Sequence, residues 1–126
     1  MKIKTSELIG AQLDWAVARC EGKRPSLFIF QQTGKLAPEH NYSNDWLQGG
    51  PIIEREFIAV FSVETRPFSG QWAADQNKHQ QIDSDEMGDK LYSFYMGSLI
   101  YGPTPLIAAM RCYVASKLGD EVEIPK

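Results

Sequence analysis

The apolar positions near the start of the chain recur with helical spacing. Ile9, Leu13, Ala16, Val17 and Cys20 fall at i, i+4, i+7, i+8 and i+11, and Leu8, Ala11, Trp15 and Ala18 form an adjoining stripe. This spacing predicts a helix from about Glu7 to Glu21, with Thr5 or Ser6 as N-cap and Gly22 as its stop. Gln12, Asp14, Arg19 and Glu21 are left for solvent, and so wide an apolar face predicts that the helix lies flat on a sheet or another helix. Leu27-Phe28-Ile29-Phe30 is a short unbroken apolar run, which predicts a strand covered on both faces.

Residues 35–50 are rich in Pro, Asn, Gly and Asp and read as a loop. Pro51, whose missing N–H is not needed in a first turn, is expected to open a short helix, with Gly50 supplying the turn before it. Phe57 to Val63 reads as the best central strand, with Trp72-Ala73-Ala74 and Leu91 to Met96 as further strands. Between those two, Asp75 to Lys90 carries seven charged residues in sixteen, which predicts a mobile polar hairpin extension over residues 75–90. The last helix is expected to start after Tyr101-Gly102-Pro103-Thr104-Pro105 and to run to about Leu118, with Gly119 as its C-terminal signal. Together these elements predict a single domain over residues 1–126. Its expected class is α+β, a small alpha-beta-alpha sandwich with a mostly antiparallel sheet of four to five strands packed by an N-terminal and a C-terminal helix.

Composition narrows the picture. The chain of 126 residues is 43% hydrophobic and 23% charged, with 3 Trp, 5 Tyr and 6 Phe, enough to build a core and incompatible with wholesale disorder. A net charge of −3 argues against broad binding to nucleic-acid phosphates. No apolar run approaches the roughly 20 residues of a membrane helix, and the start lacks the apolar block of a signal peptide, so no membrane association and a cytoplasmic location are expected. Cys20 and Cys112 each sit in a helical apolar pattern and are expected to be reduced core thiols. The generous apolar content also suits a homo-oligomer.

The chain carries no Gly-x-Ser-x-Gly elbow, phosphate loop, His-Glu-x-x-His or Cys-x-x-Cys, so no catalytic residue, metal ligand or cofactor is assigned. His40 and His79 fall in polar stretches and are expected to be solvated, and Asp83-Ser84-Asp85-Glu86 lacks the spacing of a calcium loop. The informative segment is the last helix, where Arg111 is the only charge between Pro103 and Ser116. Its helical neighbours Thr104, Ala108 and Ala115 form a strip of small side chains along which a backbone, side chain or ligand could approach. A guanidinium there needs an anionic or carbonyl partner. Two alternatives stay open: an internal ion pair with Asp45, Glu54 or Glu56, or a grip on an anionic ligand aided by Thr104 and the helix N-terminus. Tyr42, Trp46, Trp72 and Tyr101 are aromatics beside turns that either pack in the core or stack on a planar ring, and Gly49-Gly50 would admit a ligand close to the backbone.

Met1-Lys2-Ile3-Lys4-Thr5-Ser6-Glu7-Leu8, Leu13-Asp14-Trp15-Ala16-Val17-Ala18, Tyr42-Ser43-Asn44-Asp45-Trp46, Gly49-Gly50-Pro51-Ile52-Ile53-Glu54-Arg55-Glu56 and residues 102–125 closely resemble the NinX-like proteins of lambdoid phages and prophages. The chain is also similar to a wider group of small phage proteins described as alpha-beta-alpha sandwiches. The resemblance implies a fold and a phage context, and no established biochemical activity. It gathers the motifs at two loops and one helix, so the expected ligand-binding set is Tyr42, Asp45, Trp46, Gly49, Gly50, Arg55, Trp72, Tyr101, Thr104 and Arg111. Two functions fit these features. The first is a non-catalytic accessory protein that binds an anionic, nucleotide-like small molecule, sequestering a host defence signal. The second is a protein-interaction module acting on a host or phage DNA-processing complex, with the apolar face of the first helix and the acidic 83–89 stretch as contact surfaces.

Overall fold

The computed structural model describes residues 1–64, 71–76 and 99–125. The expected strand at Leu91 to Met96, His79 and the acidic 83–89 stretch lie outside the described residues. Within them the order is β1 (Lys2–Lys4), a single 3-10 turn (Thr5–Glu7), α1 (Gly10–Cys20), α2 (Leu27–Thr33), α3 (Trp46–Glu56), β2 (Ile58–Val63), β3 (Gln71–Gln76), β4 (Ile100–Gly102), α4 (Pro105–Leu118) and β5 (Glu121–Glu123). This is an α+β fold. Its strands form two antiparallel sheets rather than one, β1 paired with β5 and the three-stranded order β2-β3-β4.

The centre of the fold is α4. Thr104 caps it, its Oγ1 accepting from the Ile107 N–H at 3.1 Å, and Pro105 occupies the first turn where a missing donor costs nothing. Leu106, Ile107, Ala108, Ala109, Met110, Cys112, Tyr113 and Val114 are all buried, so the helix is enclosed on nearly every side. The three-stranded sheet, α1 and α3 pack around it. Small residues allow this closeness: a Cβ added to Gly102 on β4 would stand 2.7 Å from the Ala108 nitrogen. The strip of small side chains beside Arg111 therefore admits a backbone, that of β4.

The first helix begins later than its periodicity suggests. Thr5 is buried and its hydroxyl donates to the Gly119 carbonyl at 2.6 Å, tying the chain ends together instead of capping a helix. Neither Thr5 nor Ser6 is the N-cap; Ile9 holds that position and its side chain is exposed. Asp14, expected in solvent, is buried. The apolar face of α1 does lie on α4, with Leu13, Ala16 and Val17 fully enclosed.

The run Leu27 to Phe30 is helical, not a strand. Ser26 Oγ accepts from the Ile29 N–H at 3.2 Å, and Gly34 closes α2 in the left-handed region at φ 68° with its N–H on the Phe30 carbonyl. These two caps outweigh the strand propensity of four apolar residues. Phe30 alone of the run is buried, its ring 5.1 Å from that of Trp15.

Helix α3 also starts earlier than Pro51. Asp45 caps it, accepting from the Leu47 N–H at 3.0 Å, which places Gly50 and Pro51 in the helix interior. The helix tolerates proline there at the loss of one backbone hydrogen bond. Both cysteines are free, Cys112 buried and Cys20 half-buried. Asp75 and Gln76, expected to begin a polar extension, are the last residues of β3, and Asp75 is buried.

Candidate functional site

The ten expected ligand-binding residues divide into groups with internal duties. Arg111 pairs with none of Asp45, Glu54 and Glu56; its Nε donates to the Leu8 carbonyl and its Nη1 to the Tyr101 carbonyl, both at 2.8 Å. It thereby joins α4 to the segment before α1 and to β4. Burial lowers its pKa from the ordinary arginine value, with the Glu7 charge opposing that shift. Thr104 is committed to the cap, and Trp72 sits opposite Gly102 in the sheet, next to Tyr101 on β4. These four residues form one neighbourhood.

Tyr42 and Gly49 form another. Tyr42 is buried, and a Cβ on Gly49 would stand 2.5 Å from both the Tyr42 carbonyl oxygen and Leu106 Cδ1, so only glycine fits where α3 crosses α4. Asp45 is held by the Leu47 N–H and by Gln48 Nε2 at 3.1 Å, while Trp46 is exposed beside Gly50. Arg55 stands at the far end of α3, about 15 Å along the helix axis from Asp45.

Arg55 belongs to a polar network that the sequence pattern does not reveal. Its Nη1 and Nη2 donate to the two oxygens of Glu21 at 3.1 and 2.6 Å, its Nε donates to Glu56 at 3.0 Å, and its guanidinium lies 5.7 Å from the centre of the Tyr113 ring. The Tyr113 hydroxyl donates to Glu21 at 2.5 Å, and Gln76 donates to the Glu56 carboxylate at 3.2 Å. Burial pushes the Glu21 carboxyl up, but the hydrogen bonds from Arg55 and Tyr113 outweigh it and hold the group below its ordinary value. Burial, then the Glu21 bond and charge, push the Tyr113 phenol above its usual range. The bidentate pair and the aromatic lid make this a junction of the C-terminal ends of α1 and α3 with α4.

A second unforeseen corner is built around Asp14. Its Oδ1 accepts from the Ser43 N–H at 2.8 Å, and His40, also buried, places Nδ1 3.2 Å from the Tyr42 hydroxyl. Desolvation raises the Asp14 pKa, with the Ser43 hydrogen bonds and then the His40 charge opposing it. His40 is therefore a packed residue rather than a solvated one. The available signal was the flanking sequence: an aspartate between Leu13 and Trp15 cannot face water once both stripes of α1 are covered.

Among the described residues no group of three or more His, Cys, Asp or Glu could hold a metal ion, and no helix is long and apolar enough to cross a membrane. Several large apolar side chains also stand on the surface. Leu27, Phe28 and Ile29 of α2 are exposed, as are Trp46 and Leu47 at the start of α3 and Phe57 at its end.

No curated protein matches the chain. The family described as Bacteriophage P22, NinX matches residues 4–117, nearly the whole chain. With 114 of 126 positions inside that match, the chain belongs to this phage NinX family.

Proposed function

We propose that the chain is a phage or prophage accessory protein that works by docking onto a host or phage protein, such as a DNA-processing complex, through α2. The observation that carries this reading is the exposure of three consecutive large apolar side chains, Leu27 at 47%, Phe28 at 72% and Ile29 at 49%. Scattered apolar residues on a surface are ordinary, but three large ones on a helix of two turns expose apolar area that gains by being covered. At about 25 cal/mol per Å² of apolar area removed from water, enclosing these side chains supplies a few kcal/mol toward association.

The alternative, capture of an anionic nucleotide-like molecule by Arg111, Arg55 and the start of α4, is less favoured by the geometry. Arg111 is engaged by two carbonyls and Arg55 by two carboxylates, so an anion at either residue would displace an existing partner.

The test is a comparison of two tagged proteins in extracts of phage-infected cells. One is the wild-type chain and the other carries Leu27→Ser, Phe28→Ser and Ile29→Ser. A specific partner is expected to be retained by the wild-type chain and lost by the variant, with both proteins cooperatively folded at the assay temperature. Equal retention by both proteins would refute docking through α2.

A further inference from the structure

A cleft of about 310 Å³ lies between the first turns of α1 and the loop of residues 35–44, on ground that the docking reading does not use. Its volume is at the small end of the range for ligand pockets. Two lining side chains are more than nine-tenths buried, Asp14 at 4% and His40 at 8% exposure. Asn41, Asn44 and Lys35 stand at the cleft as well, and Leu36 and Pro38 give it an apolar wall.

The order of charges in this cleft restricts what can enter. The buried carboxylate of Asp14 disfavours a negative group beside it, whereas the exposed Lys35 ammonium favours one at its own part of the lining. Asp14 has capacity to spare: an ionised carboxylate offers about four acceptor sites, and Ser43 supplies the donors it already has. A neutral group rich in O–H donors satisfies that carboxylate without adding charge. Vicinal hydroxyls present two such donors side by side, and asparagine amides match hydroxyls because both donate and accept.

We infer that this cleft binds a small hydroxylated ligand of the ribose class. The vicinal hydroxyls donate to Asp14, Asn41 and Asn44 complete the polar contacts, and the ring lies against Leu36 and Pro38. A phosphate carried by the sugar is held by Lys35. The site is separate from α2 and stands or falls independently of docking.

Calorimetric titration of the full-length protein with adenosine, 2′-deoxyadenosine and adenosine 5′-monophosphate tests the assignment. Adenosine and its monophosphate are expected to bind saturably, with 2′-deoxyadenosine weaker by about tenfold or more, the loss expected when a hydrogen bond to a charged group is removed. Asp14→Asn keeps an oxygen for the Ser43 N–H and is expected to lower adenosine affinity to a similar extent. Lys35→Ala is expected to weaken the monophosphate several-fold and leave adenosine unchanged. If Asp14→Asn does not fold, Asn44→Ala takes its place, with weaker adenosine binding expected. Absence of saturable binding by all three probes at millimolar concentration overturns the inference, as does unchanged affinity in a folded Asp14→Asn or Asn44→Ala protein. The α2 serine variant is expected to bind adenosine like the wild type, so loss of docking and loss of ligand remain distinguishable.

Discussion

Helices α2 and α4 are both built around apolar residues, and the fold treats them oppositely. In α4 the sheet closes over Ala108 and α3 over Leu106, α1 packs on it as well, and eight of its fourteen residues are buried. In α2 a single residue, Phe30, reaches the core through Trp15, and the three residues before it face outward. The difference lies in the neighbours rather than in hydrophobicity. Gly49 and Gly102 let chain segments approach α4 closely, whereas α2 is held by its own caps, Ser26 and Gly34, between loops. An apolar helix becomes core only where other elements can reach it, and one left outside is free to serve as an interface.

The largest expected effect breaks the enclosed side of this comparison. Gly102→Ala would put a Cβ 2.7 Å from the Ala108 nitrogen and 3.0 Å from its Cα, backbone atoms that cannot swing aside. A destabilisation of about 3 kcal/mol, the upper part of the overpacking range, is expected in urea unfolding. An unchanged midpoint would mean that β4 and α4 can separate freely, and the enclosure of α4 would lose its explanation.

A smaller effect concerns two polar contacts of α1, at Asp14 within the helix and at Glu21, its C-cap. Glu21 has its folded pKa held below the ordinary 4.5, so its contribution is present above that pH and is lost as pH falls through the folded value. Asp14 has its pKa raised by burial, so between 3.8 and its folded value the native state binds more protons and gains stability as pH falls. Urea midpoints measured from pH 7 to pH 3 should therefore show two opposite changes. Glu21→Gln flattens the acid-side loss of stability, and Asp14→Asn steepens it. Because Arg55 is half exposed, the Glu21→Gln cost at pH 7 is expected to be only about 1 kcal/mol. An identical pH profile in Glu21→Gln would remove this carboxylate from the account.

The smallest effect on stability belongs to the exposed helix. Replacing any one of Leu27, Phe28 and Ile29 by serine is expected to change unfolding free energy by no more than about 0.5 kcal/mol, since none of the three is buried. A large loss would show that α2 contributes to the core and would weaken the contrast with α4.

The parts of the fold that could be read from sequence are those where local signals agree. Thr104, Pro105 and Gly119 bracket α4 as caps, and alternating or continuous apolar residues mark β2 and β3. The misread elements are those where signals conflict. At Leu27 to Phe30 an apolar run spoke for a strand while Ser26 and Gly34 spoke for a helix; at Pro51 the proline masked the stronger cap at Asp45. Strands β1, β4 and β5 have three residues each, too few to show a period. For the candidate site, the isolation of Arg111 correctly signalled an obligatory partner, but a carbonyl satisfies that need as well as an anion does. The Glu21, Arg55 and Tyr113 junction joins residues up to 92 positions apart, a separation that no local pattern encodes.

The central claim is that α2 is a docking surface, and site-specific photo-crosslinking tests it most directly. A photoreactive phenylalanine analogue at position 28, with the exposed position 19 on α1 as control, is expected to crosslink a discrete partner protein in infected cells from position 28 alone. No crosslinked protein from position 28, or the same products from both positions, would contradict it.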